Sequence, residues 1–113
     1  MPTPRDLEAL LDITKAGNLI VQFIHGMSQS AFNTDPKTQS AVSHQLLIVG
    51  EATKRLSQPF RSENSQIPWV LMAGMRNHLI HAYDMVDLDE VWQTASQDIP
   101  TLLIAIDTLL RKH

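Results

Sequence analysis

The chain has 113 residues, 43 % of them apolar and 19 % charged, which fits one globular domain over residues 1–113 whose modest core invites a partner surface. It has no cysteine, so disulfides and thiolate metal sites are excluded and a cytoplasmic location is expected. Its net charge of −3 gives no global attraction to nucleic acid, so any RNA contact must be local.

The opening "MPTPRDLEALLD" is charged at positions 5, 6 and 8 and has no apolar core of the kind a signal peptide needs. Instead it predicts a helix, with Thr3 as N-cap, Pro4 at the first helical position and Asp6 three residues after the cap. Leu7, Leu10, Leu11, Ile20, Val21 and Ile24 mostly keep helical spacing, and Gly26 is the expected terminator. A small helix is expected at "SQSAF", before a break at "NTDPK". Asp35 and Pro36 then cap and start a second long helix reaching about residue 57, with Val42, Leu46, Val49, Gly50 and Leu56 on its buried side. Gly50 costs about 1 kcal/mol relative to Ala in a helix interior, so a close helix contact is expected there.

The stretch "QPFRSENSQ" reads as a loop, flanked by the basic residues Lys54, Arg55 and Arg61. Pro68 opens a third long helix, "PWVLMAGMRNHLIHAY", which holds the longest apolar run, far too short to span a membrane. Asp87 and Glu90 have capping-box spacing for the helix "LDEVWQTASQ", which should break at Pro100, since proline cannot donate to the helical ladder. A last helix, "TLLIAIDTLLRK", ends on Arg111 and Lys112, charges that suit a helix C-terminus. With no strand-period segment, the expected fold is all-α: an antiparallel bundle of four to five helices.

One segment carries concentrated chemistry. In "GMRNHLIHAYD", Arg76, Asn77, His78, His81 and Tyr83 lie close together in an otherwise apolar stretch. On composition alone they are the solvated side of an amphipathic helix. Arg76 and Tyr83 are seven apart and share a helical face, as do Asn77 and His81. Arg76 and His81, five apart, diverge by about 140° on a regular helix. They can act together if the helix ends or distorts between them, or if one copy's histidine meets another copy's arginine across a two-fold axis.

The pattern Arg76, four residues, His81, one residue, Tyr83 resembles the signature of HEPN-domain proteins, and specifically the HepT-like toxins of toxin–antitoxin pairs. "IVGEATKRLS", "IPWVLMAGMRNHLIHAYDMVDLDEVW" and "DIPTLL" resemble family segments in order and spacing, so the likeness covers nearly the whole chain. It implies a dimeric HEPN-like bundle: the ribonuclease toxin of a type VII system, needing no metal and no cofactor, with Arg76 and His81 as the catalytic pair near the dimer interface. Asn77 matches the family's Arg-Asn pair. Tyr83 matches the tyrosine that a partner nucleotidyltransferase antitoxin modifies with AMP. The chain departs from the family at Ser43, His44, Gln45 and Leu47, where members often carry basic or amide residues.

The residue types suit metal-free RNA cleavage. Histidine titrates near neutrality and serves as base or acid, and arginine's fixed charge suits a phosphate oxygen. The second proton-transfer role falls to a partner's His81 or to His78, and the sequence does not choose between them. Glu51 either pairs with a motif cation such as Arg76 or faces water. Asp84, Asp87, Asp89 and Glu90 match no calcium loop, and helix capping accounts for part of the run, so no metal site is expected. Trp69, Trp92, Phe23 and Phe32 are expected in the core or an interface. The alternative to the enzyme is a non-catalytic helical subunit that binds a nucleotidyltransferase.

Overall fold

Helix α1 (Pro4–Phe23) starts on a complete capping box: the Asp6 N–H donates to Thr3 Oγ1 at 3.0 Å, and the Thr3 N–H donates to Asp6 Oδ2 at 2.9 Å. The computed structural model describes residues 2–70, 72–73 and 87–112. Among them every regular element is helical, and no helix is long and apolar enough to cross a membrane.

The buried stripe of α1 runs through Ala9, Leu10, Ile13, Ala16, Gly17 and Ile20. Leu7 and Leu11 lie off it, 37 % and 59 % exposed, against the apolar side expected from spacing. The small residues decide the rotation of the helix: Ala9, Ala16 and Gly17 let neighbouring helices come close, and the four-apart leucines turn outward. Gly26, with φ +73°, makes the turn after the helix in the left-handed region.

Helix α2 (Gln29–Asn33) is capped by Ser28, whose Oγ accepts the Ala31 N–H. Helix α3 (Pro36–Arg55) is capped by Asp35, which accepts the Thr38 N–H at 3.1 Å and the Thr38 hydroxyl at 2.7 Å. These bonds hold the Asp35 carboxyl below its ordinary pKa, with the Thr38 hydroxyl the larger cause. Val42, Leu46, Val49, Gly50 and Leu56 are all buried, as expected. Asp6, near the start of α1, bonds Ser57, just past the end of α3, so the two helices run antiparallel.

Two expectations from sequence are corrected. The stretch after Ser57 is not a loop but helix α4 (Gln58–Glu63), capped by Ser57 with Pro59 in its first turn and Phe60 buried. Nor does the chain break at Pro100. Helix α5 (Leu88–Gln93) passes through a π turn (Thr94–Asp98) directly into α6 (Ile99–Lys112). The wider π turn carries the chain past a residue with no N–H, and the Thr101 hydroxyl donates to the Gln97 carbonyl at 3.0 Å.

The core joins Ile13 and Ile20 of α1 to Phe32, Val42, Leu46, Phe60, Ile99 and Ile106, all at most 2 % exposed. Helix α6 packs against α1 at Gly17. A Cβ there would lie 2.7 Å from Leu103 Cδ2 and 3.4 Å from Ile99 Cγ2, so the contact admits only glycine without movement.

Candidate active site

Arg76, Asn77, His78, His81 and Tyr83 lie outside the described residues, as does Met75, expected near a dimer interface. The structure describes what borders them on each side. On the N-terminal side Pro68 precedes a helix start: Trp69, Val70, Met72 and Ala73 are helical, and the Met72 N–H donates to the Pro68 carbonyl at 3.1 Å.

Trp69 is 4 % exposed and anchored twice. Its ring packs against Phe60 of α4 with centroids 6.0 Å apart, and its indole N–H donates to the Asn64 carbonyl at 3.0 Å. That bond satisfies the one polar atom of a buried indole. The adjacent Val70 is the opposite case, 83 % exposed.

On the C-terminal side Asp87 caps α5, its carboxylate accepting the N–H groups of Asp89 and Glu90 at 3.0 and 3.3 Å. Asp89 in turn accepts the Gln29 side-chain amide at 2.6 Å, tying α5 to α2. Capping and tethering therefore occupy Asp87 and Asp89, while Asp84 lies outside the described residues. Among the described residues no group of three His, Asp or Glu side chains is placed to hold one.

A cleft of about 410 Å³ joins the two borders, lined by Met72, Asp87, Asp89, Glu90, Gln93, Thr94 and Asp98. Among the described residues it gathers four carboxylates, those of Asp87, Asp89, Glu90 and Asp98. A smaller hollow of about 180 Å³, lined mostly by Ile67, Pro68, Met72, Leu102 and Ala105, is largely apolar.

Glu51 is exposed on α3, and its pairing with Arg76 falls outside the described residues. Of the basic residues expected to flank a loop, Arg55 is paired with Asp12 at 2.6 Å. Arg61 is half-buried on α4; its Nη2 reaches Gln58 at 3.4 Å, and its Nε is sealed without a partner. Trp92 and Phe32 pack with centroids 5.3 Å apart, as core aromatics should, whereas Phe23 is 37 % exposed.

A polar cluster that sequence reasoning missed lies at Asp6. The residue is 1 % exposed, yet its carboxylate accepts the Ser57 N–H at 2.7 Å, the Ser57 hydroxyl at 2.9 Å and the Thr3 N–H at 2.9 Å. Burial alone would raise its pKa. The bonds from Ser57 and Thr3 outweigh burial and hold the carboxyl below its ordinary value. The signal available in the sequence was the capping box, which accounts for only the Thr3 part.

Comparison with known proteins places these features in a family. The family described as ribonuclease HepT-like matches residues 13–109. A protein named probable ribonuclease HepT from Thermococcus cleftensis is 44 % identical over 93 residues, covering 82 % of this chain and 84 % of its own. A candidate RNase of Caldanaerobacter subterraneus subsp. tengcongensis is 36 % identical over 113 residues, covering 100 % and 99 %. In Methanocaldococcus jannaschii, a gamma-glutamylcyclotransferase and candidate RNase is 35 % identical over 99 residues, covering 87 % of this chain and 45 % of its own. No solved structure matches the chain.

Proposed function

This chain belongs to the ribonuclease HepT-like family, and on that premise we propose that it is the toxin of a type VII toxin–antitoxin pair. In this reading it is a cytoplasmic, metal-independent endoribonuclease with Arg76 and His81 as its catalytic pair. A cognate nucleotidyltransferase silences it by adding AMP to Tyr83. The observation that carries the reading is the family match over residues 13–109, which takes in the whole Arg76-to-Tyr83 motif.

The chemistry follows from the side chains. A histidine takes the proton of an RNA 2′-hydroxyl, whose oxygen attacks the adjacent phosphorus. The P–O bond to the 5′-oxygen breaks, that oxygen leaves with a proton, and a 2′,3′-cyclic phosphate remains. Arg76 stabilises the charge on the phosphorane oxygens. Asn77 and His78 support the pair, with His78 or the partner subunit's His81 as second proton carrier.

A homodimer completes this site. Val70, 83 % exposed beside buried Trp69, supports an apolar surface shared between copies at the start of the motif segment. Silencing is equally local. The Tyr83 oxygen attacks the α-phosphorus of ATP and pyrophosphate leaves. The resulting phosphodiester competes for Arg76, and the nucleoside blocks the RNA backbone.

The test is purified protein on mixed RNA beside its Arg76→Ala and His81→Ala variants. Both variants should lose cleavage while keeping their helical circular dichroism. A variant that cleaves at the wild-type rate removes that residue from the catalytic pair.

A further inference from the structure

Helix α4 is six residues long, and both of its ends are tied to other parts of the fold. Its N-cap, Ser57, donates its backbone N–H and its hydroxyl to the buried Asp6 carboxylate, which also accepts the N–H of Thr3, the N-cap of α1. The carbonyl of its C-cap, Asn64, accepts the Trp69 indole N–H and, at 3.1 Å, the Ile67 N–H. The Asn64 side-chain amide turns back to the Phe60 carbonyl at 3.0 Å, and the Phe60 ring packs on Trp69. Asp6, Phe60, Ile67 and Trp69 are at most 4 % exposed, while the caps Ser57 and Asn64 are half-buried. Trp69 stands seven residues before Arg76 in the sequence.

We infer that α4 is a strut that positions the catalytic segment, with Asp6 and Trp69 as positioning residues for the ribonuclease reaction. The inference rests on Arg76 and His81 being the catalytic pair. Asp6 fixes one end of the strut against α1 and α3, and Trp69 transmits that position to the residue from which the motif segment departs. Neither side chain touches RNA. Displacements of about 1 Å in reacting groups cost about a hundredfold in rate, so a loosened strut reduces turnover more than substrate binding.

The test compares Trp69→Phe, Asp6→Asn and the double variant. Trp69→Phe keeps a ring against Phe60 and loses the indole bond to Asn64 together with some buried ring volume. Gly17→Ala serves as the control, because it strains the α1–α6 contact away from the strut. Each strut variant should lower kcat about tenfold with KM within about twofold of wild type. The double variant should fall little further, since both changes release one element, while their effects on stability add. Gly17→Ala should keep its kcat at a temperature where all four proteins are folded.

Hydrogen exchange supplies a readout that does not depend on which residues are catalytic. Amides of residues 69–83 should exchange faster in Trp69→Phe, with α6 unchanged. Wild-type exchange there, or a kcat loss in Gly17→Ala equal to that of the strut variants, overturns the strut. Faster exchange with wild-type kcat overturns the positioning role if Arg76→Ala and His81→Ala abolish cleavage; if those two also cleave normally, it is the catalytic assignment of the motif that falls.

Discussion

Replacing Asp6 with Ala removes a carboxylate that accepts three hydrogen bonds while only 1 % of the residue is exposed. The Ser57 N–H and hydroxyl lose their acceptor inside the fold. Leaving such donors unmet costs about 1–3 kcal/mol, and bonds to a charged group are worth about 1.5–3 kcal/mol each before any relaxation. Loss of the return arm of the α1 capping box adds about 0.5–1 kcal/mol. Water reaches part of the vacated site, so the sum is well below the gross total: about 3 kcal/mol. Against a typical domain stability of about 5–15 kcal/mol, that is a large fraction.

Urea unfolding followed by circular dichroism at pH 7 measures the effect directly, with the slope m expected to stay constant. The pH dependence has a definite sign. The folded pKa of Asp6 lies below the unfolded one, so its stabilisation is complete above the unfolded value and is lost as pH falls through the folded value. The difference between wild type and Asp6→Ala should therefore be constant from pH 5 to 7 and shrink below about pH 4. A loss under about 1 kcal/mol at pH 7, or a difference that widens in acid, would refute the reasoning.

Gly17→Ala places a Cβ 2.7 Å from Leu103 Cδ2 and 3.2 Å from its Cγ, so despite alanine's better helix propensity it should lower stability by about 1 kcal/mol in the same urea assay. Val70→Lys, at a position 83 % exposed, should leave monomer stability within about 0.5 kcal/mol while sedimentation shows the dimer dissociating. Tyr83→Phe should still cleave RNA yet resist its nucleotidyltransferase, and mass spectrometry of wild type with transferase and ATP should find the AMP on Tyr83. An adduct elsewhere would refute the Tyr83 switch.

Helix starts were legible because capping is local. Thr3 with Asp6, Asp35 with Thr38 and Asp87 with Glu90 declare themselves within three residues, and the structure makes each of these bonds. Helix α4 was not legible, because what steadies its cap is Asp6, 51 residues away in the chain. Pro100 misled for a related reason. A proline forbids one hydrogen bond, and the chain met that demand with a π turn rather than a break. Leu7 and Leu11 fit the helical period but not the core, since Gly17 and the alanines set how α1 is rotated. For the Arg76-to-Tyr83 motif, spacing alone gives a solvated helix face. Only the likeness of whole segments to a family raised it above that, and the family match over residues 13–109 agrees.

Metal-free RNA cleavage through Arg76 and His81 has a distinctive chemical signature. The most direct measurement is the chemical nature of the product ends after incubation with RNA in excess EDTA. Cleavage should be undiminished, should leave 2′,3′-cyclic phosphate and 5′-hydroxyl ends, and should be abolished by His81→Ala. Cleavage that stops with EDTA and returns with magnesium, or that leaves 5′-phosphate ends, would contradict that mechanism.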